Sequence, residues 1–582
     1  MQLPSPITDK ASLLLIDGSL VLLACAATFA WPRMGTSWFA RIERLFMRLA
    51  RRKHLAVTTV GLTALLLRLA LLPLFPIPLP FLPDDFSLLL ASDTFAHGRL
   101  TNPTPAMWMH FESIHISMQP TYMSMYFPSL GLLMAAGKVL LGNPWYAILI
   151  ANALMCAAIC WMLQAWLPSG WALLGGLLAI LRLGLFSYWI NTYTGGGALL
   201  AFAGALVLGA LPRLMKTARV RYGLLMALGI ALLALTRPYE GLLLCLPVAA
   251  ALGHWAVRGK NRPRPGVLLR RAMAPLALIA AALLWLGYYD YRAFGSPVTL
   301  PYTINRATYA MAPYFVWQHQ RPEPVYRHNA MRRFYYESEM KVFNKVHTWR
   351  DFIPITLMKL ATTTLFFAGY ALLLPLIMLR RTLLDRRVRF LVLCIAVLMA
   401  GMLIEIYLIP HYLAPFTAAF YALGLQMMRH LRFWRPGDAP VGAALVRMSV
   451  VVCVALAALR VCATPLGLAV PEWPASNWSG MWYGPEHYGT ERAGIEAELK
   501  AMPGKQIVLV RDAPKRDPLD QWVYNAADIN ASKVIWAQEM DAASNAQLMR
   551  HYPGRRVWLV DPNTEPAQVS SYEAPQQAAA AH

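Results

Sequence analysis

The feature that most constrains this chain is a succession of apolar stretches, each long enough to cross a lipid bilayer. A hydrocarbon core about 30 Å thick needs roughly 20 apolar residues in a helix. Segments 11–30, 55–76, 122–141, 145–166, 171–190, 196–212, 222–237, 240–257, 272–291, 353–379, 390–409, 411–430 and 442–466 meet that requirement or come close to it. They predict an all-α polytopic membrane protein with about 12–14 transmembrane helices. The first segment lacks a basic leader, contains Asp17 and is followed by Arg rather than a small-residue cleavage site, so it reads as a membrane helix.

Composition agrees. AVILMFWYC make up 57% of the residues and DEKR 14%, against about 25% charged residues in an ordinary soluble domain. The net charge of +23 would suit nucleic acid, but Lys and Arg fall in short runs between apolar stretches, the pattern of membrane orientation. The bilayer, and no nucleic acid, is the implied partner. The seven cysteines all lie in apolar segments without metal-ligand spacing and read as core residues.

Five basic clusters, at 41–53, 213–221, 258–271, 380–389 and 429–435, are placed in the cytoplasm by the positive-inside rule. Counting crossings from them puts loops 77–121 and 292–352, and everything after 467, on the outer side. One stretch breaks the parity, because single crossings by 171–190 and 196–212 would bring Arg213 out on the wrong face. Reading 171–190 as two half-helices around Arg182–Gly184 restores it, a discontinuity that membranes tolerate beside a cavity. NTYTGGG (191–197) then lies at the outer face, its glycines suited to close backbone approach and still better to helix packing.

From 467 the pattern changes. KQIVLVR (505–511), KVIWAQEM (533–540) and RRVWLVD (555–561) read as strands, with AGIEAELKAM and NAQLMRHY as helices between them. The division is thus 1–54 (first helix and basic loop), 55–466 (membrane domain), 467–570 (a small extracytoplasmic α/β domain) and 571–582, a tail without a core-forming pattern that is expected to be disordered.

The densest chemistry lies in the first outer loop, where PDDFSLLLASDTFAH predicts a short helix ended by Gly98. Asp84 and Asp85 fall at its start, where free N–H groups and the helix dipole favour an ionised carboxylate. A single Asp there is an ordinary N-cap. Two of them at a membrane edge, followed by Asp93, His97, Arg99, His110, Glu112 and His115 in one loop, point to a site.

A membrane helix, an outer acidic pair, an amphipathic helix ending in Gly and a second helix returning to the membrane resemble the GT-C glycosyltransferases. More narrowly, the chain resembles the bacterial branch of the protein mannosyltransferase and aminoarabinose transferase superfamily (glycosyltransferase family 39-like). The likeness covers the membrane part through about residue 430, and PDDFSLLLASDTFAHGRLTNP is its specific portion. It implies transfer of a sugar from a polyprenyl-phosphate carrier to a lipid, glycan or protein acceptor on the outer face of the bacterial inner membrane. It puts the catalytic carboxylate on Asp84, with Asp85 beside it. The family often has Asp-Glu where this chain has Asp-Asp, and the aminoarabinose branch has Arg where Ser87 stands, so donor identity does not carry over.

The residue types suit that chemistry independently. An attacking hydroxyl needs a base, and a departing lipid phosphate needs cations and hydrogen-bond donors. Candidates for the phosphate or substrate are His97, Arg99, Arg237, Glu240, Arg306, His411 and Tyr412. Each has a plainer role: Arg237 can pair with Glu240, Arg306 can be solvated, and His411 with Tyr412 can anchor at the interface. No cofactor is called for and no metal site is assigned, although Asp84 with Glu112 could hold a divalent ion; HFESIHIS lacks the zinc-protease spacing. The rival class is a transporter or flippase of lipid-linked sugars, whose essential charges would sit near the midplane. Here the interior charges are few, notably Asp17, Arg68, Arg182 and Glu405. A scaffold whose outer domain recruits partners is a third reading.

Overall fold

The computed structural model describes residues 10–463 and 489–573. Among them, 7 helices are long and apolar enough to span a membrane: Lys53–Ala70, Trp145–Trp166, Gly197–Thr217, Pro238–Arg258, Pro265–Phe294, Arg350–Ala368 and Val441–Ala463. Shorter apolar helices at Leu15–Ala30, Pro128–Leu141, Ser169–Gly184, Val220–Ala234 and Arg389–Leu403 accompany them. This is the body of an integral membrane protein. Every apolar segment of the sequence has a helical counterpart, with altered edges. The expected 353–379 span stops at Ala368, where Gly369 turns with φ +59. The expected 411–430 span opens as a tight 3₁₀ turn, Pro410–Phe416, before Thr417–Leu431. The basic stretch expected as a loop within 1–54 contains a helix, Thr36–Arg51, whose arginines alternate with apolar residues at helical spacing, as in helices lying in an interface.

The break in 171–190 is present. Helix Ser169–Ala179 passes into a wide π-turn at Ile180–Gly184, and the single turn Tyr188–Asn191 follows. Backbone groups freed by such a break need partners in a dry interior. Asn152 Nδ2 donates to the Gly184 carbonyl at 2.8 Å. Arg182 donates to the carbonyls of Leu365 and Phe366 in the last turn of helix Trp349–Ala368, where a cation also complements the helix dipole.

The basic clusters gather at one end of the bundle. Glu43 bridges Arg432 and Arg447 at 3.1 and 3.0 Å, Asp385 meets His430 at 3.2 Å, and Arg271 donates to the Ala218 carbonyl at 3.1 Å. At the other end meet the loop 77–121, the NTYTGGG turn, the segment 292–352 and the C-terminal domain.

That domain carries a four-stranded sheet of order β4-β3-β5-β6. Its strands are β3 (Gln506–Val510), β4 (Val534–Gln538), β5 (Arg556–Asp561) and β6 (Gln568–Ser571), numbered after a two-residue hairpin in the loop, β1 (Ile116–Ser117) and β2 (Met123–Ser124). β3 is parallel to both β4 and β5, and β6 closes one edge antiparallel. Helices Thr490–Ala501 and Ala542–His551 stand where the sequence places them. β6 was not expected from the sequence, and it carries the domain past the anticipated limit at 570, with Ser571 paired to Trp558. The segment 464–488 and the end of the tail lie outside the described residues.

The domain sits directly on helix Pro83–Ala96 and its loop. Phe86, 1% exposed, stacks on Tyr524 at 4.6 Å and lies 4.9 Å from the Arg492 guanidinium. Leu90, Phe111, Ile116, Met118 and Tyr122 share one buried cluster with Ile507, Leu509, Ile535 and Leu548. Phe86→Ala should therefore cost about 3–5 kcal/mol at this junction, read as earlier thermal unfolding and faster proteolytic release of the C-terminal domain in detergent.

Candidate functional site

Pro83 opens the helix Pro83–Ala96 at a position where its missing N–H is no loss. Asp84 and Asp85 follow in its first turn, about 100° apart around the axis. That rotation gives them different fates. Asp85 points inward and is 0% exposed. Its Oδ2 accepts from the N–H groups of Phe81 and Leu82, both at 3.3 Å, and its Oδ1 from the N–H of Tyr193 at 3.0 Å. The reach back to Leu82 is the reciprocal half of a capping box, and the bond to Tyr193 ties the helix to NTYTGGG. Burial pushes the Asp85 carboxyl up to about 7, the neighbouring Asp84 adding to the shift and the N–H donors opposing it.

Asp84 points into the opposite space, with its side chain 25% exposed and Oδ1 2.9 Å from His115 Nδ1. A carboxylate only accepts, so Nδ1 carries the proton on that side. His115 is held on every side. Its backbone has φ +62, a left-handed conformation that non-glycine residues adopt at a cost of about 1–3 kcal/mol. Its N–H donates to Tyr335 Oη at 3.1 Å, and its carbonyl accepts from Ser87 Oγ at 2.6 Å and from the N–H of Met125 at 3.1 Å. The ring sits edge-on to Tyr126, Phe334 and Tyr335, with Tyr126 Oη 3.1 Å from Nδ1. Ser87, which stands where the aminoarabinose branch has Arg, thus serves to fix His115.

A second cluster forms where helices Val220–Ala234 and Pro238–Arg258 meet. Arg237 donates to Glu240 at 2.6 Å and to His411 Nε2 at 3.0 Å, and its guanidinium lies 3.8 Å from the Tyr412 ring centre. Guanidinium has no lone pair to offer, so His411 Nε2 accepts and Nδ1 carries the proton, which points at Tyr188 Oη 3.0 Å away. Gly195 has φ +74, and a Cβ there would stand 2.6 Å from His411 Nδ1. Close approach is therefore a function of NTYTGGG alongside the packing that the sequence favours; a Cβ on Gly197 would meet the Trp189 ring at 2.3 Å. Tyr302 lies between the two clusters, its ring 5.7 Å from Tyr126 and near enough to Arg237 for the guanidinium charge to act on it.

Sequence grouping and space disagree for the remaining candidates. His97 and Arg99 lie past the far end of the helix, ~20 Å of helical rise from Asp84. His97 is bonded to the Asp93 carbonyl at 2.8 Å with its side chain 57% exposed. Asp93 itself accepts from Lys138 and from the N–H of Ala527, contacts that outweigh its burial and hold its carboxyl below the ordinary value. Arg306 is buried, donating to Glu339 at 2.6 Å and to the Ala312 carbonyl, with Tyr314 4.7 Å away. It organises the segment 292–352 rather than presenting a free cation. Glu112 accepts from Tyr309 at 3.0 Å and faces Arg327 and His328, apart from Asp84; burial pushes its carboxyl above the ordinary value against these neighbours. Among the described residues, no group of His, Cys, Asp and Glu has the arrangement to hold a metal ion. Of the groups around Asp84 and Arg237, sequence reasoning named His115 only as part of a dense loop and passed over Tyr126 and Tyr188, because partners this far apart in the chain leave no local spacing signal.

No family model and no curated protein matches this chain. Among solved structures, it is similar to the oligosaccharyltransferase of Archaeoglobus fulgidus tethered with an acceptor peptide, at 12% identity and TM-score 0.46, over 87% of this chain and 68% of that one. It is also similar to ArnT from Cupriavidus metallidurans in the apo state, at 15% identity and TM-score 0.45, over 90% of this chain and 93% of that one. The same ArnT bound to undecaprenyl phosphate matches at 14% identity and TM-score 0.42, with the same coverage. At these values the reading of the site rests on its own geometry.

The two aspartates separate by measurement. Asp85→Ala strands buried N–H donors and should cost about 1–3 kcal/mol, whereas Asp84→Ala should leave thermal stability in detergent within about 0.5 kcal/mol.

Proposed function

We propose that this protein is a membrane glycosyltransferase that moves a sugar from a polyprenyl-phosphate carrier to an acceptor on the outer face of a bacterial inner membrane, with Asp84 as the base. The observation that carries the proposal is the asymmetry of the acidic pair. Asp85 is consumed by backbone donors, while Asp84 is oriented through one oxygen by His115 and has no hydrogen-bond partner on the other among the described residues.

In a single displacement the acceptor hydroxyl attacks the anomeric carbon as its proton passes to the free oxygen of Asp84. The bond from that carbon to the phosphate oxygen breaks, and its electron pair leaves with the lipid monophosphate, inverting the configuration. The departing charge needs fixed cations and donors. Arg237 keeps N–H groups beyond those given to Glu240 and His411, and Tyr302, within reach of the Arg237 charge and beside Tyr126, supplies a hydroxyl. His115 is a positioning residue, limiting Asp84 to one orientation through Nδ1–H. The buried Arg68 and Arg182, which a transport reading would place along a pathway, donate instead to main-chain carbonyls. The acceptor class and the sugar are open to assay.

The test is transfer from radiolabelled polyprenyl-phosphate hexoses in membranes carrying the wild type or variants, with insertion checked separately. Asp84→Asn should lower transfer by about 10²–10⁴-fold; unchanged transfer would remove Asp84 from the chemistry. Arg237→Gln should raise KM for the donor and lower kcat together.

His115 gives a finer check. His115→Ala should lower kcat by about tenfold or more with donor KM little changed. His115→Asn, which keeps a donor near Nδ1 and tolerates the left-handed backbone, should restore most of that loss.

A further inference from the structure

At the basic end of the bundle, ~29 Å along helix Gly197–Thr217 from the NTYTGGG turn, several helix ends leave a cavity of about 470 Å³. Its walls include Trp166, Met215, Trp255 and Phe390, and Lys216 and Lys260 line it as well. The size is that of a ligand site rather than a packing defect.

Wall chemistry and charge say what would fill it. The aromatic and aliphatic side chains of Trp166, Met215, Trp255 and Phe390 call for an apolar body. Lys216 and Lys260 are exposed and make no ion pair among the described residues, and no carboxylate lines the cavity. Arg213, Arg219 and Arg258 add positive charge in the same two basic clusters. The occupant therefore needs an apolar body and an anionic head.

We propose that this cavity is a binding site for an anionic phospholipid of the leaflet at the basic end of the protein. An acyl chain lies against Trp166, Met215, Trp255 and Phe390, and the head-group charge meets Lys216 and Lys260. Membrane proteins recognise anionic heads through basic pockets between helices on the cytoplasmic side, the side to which the positive-inside rule assigns this end. The site is independent of the transferase reading and lies at the opposite end of the bundle from Asp84. An inorganic anion would match the lysines and leave the apolar walls unfilled.

Native mass spectrometry of the full chain in mild detergent tests this, with phosphatidylglycerol and phosphatidylcholine of identical acyl chains as probes. The wild type should hold one phosphatidylglycerol about tenfold or more tightly than phosphatidylcholine. Lys216→Gln with Lys260→Gln, both at exposed positions, should bring the two lipids to equal retention. Equal retention of the two lipids by the wild type, an undiminished preference in the double Lys variant, or displacement of the lipid by an equal concentration of inorganic phosphate would overturn the proposal.

Discussion

The half of this molecule that carries the C-terminal domain depends on one buried carboxylate. Asp85 joins three backbone donors from two places far apart in the chain, the helix start at Phe81 and Leu82 and the turn at Tyr193. Free N–H groups at a helix start must find partners when water is excluded. Asp85 supplies them, and in doing so fixes the rotation of helix Pro83–Ala96. Asp84, one residue earlier, is then obliged to face the space lined by His115, Tyr126 and Tyr302.

The same constraint reaches Arg237. The turn that Asp85 grips continues into Gly195, whose left-handed backbone lies against the His411 ring, and His411 in turn accepts from Arg237. Asp85 thus links the carboxylate and guanidinium regions through a short run of main chain.

Much of the architecture is legible in the sequence, because bilayer thickness turns hydropathy into helices. The break at Arg182 follows from charge parity alone, and the structure supplies its physical basis in the carbonyls of Leu365 and Phe366. The site is less legible. Asp84 and Asp85 are the same residue type in adjacent positions, and only their partners distinguish them. His97 and Arg99 are near Asp84 in sequence but are carried away by the helix between, whereas His115 is brought in by a hairpin with a left-handed backbone. The edge strand β6 escapes notice because Gln568–Ser571 is exposed on both faces and carries no alternation.

Beside its apolar seam with the C-terminal domain, the loop 77–121 also grips that domain by its main chain. His110 reaches the carbonyls of Gln538 and Ser544, Ser113 that of Val523 and Tyr122 that of Asn525, while Asp93 accepts from the N–H of Ala527. Contacts of this kind read the domain's backbone and are indifferent to which side chains it bears at those positions. Related chains are thus free to change the side chains at those main-chain contacts while the domain stays seated, so sequence there can drift faster than position.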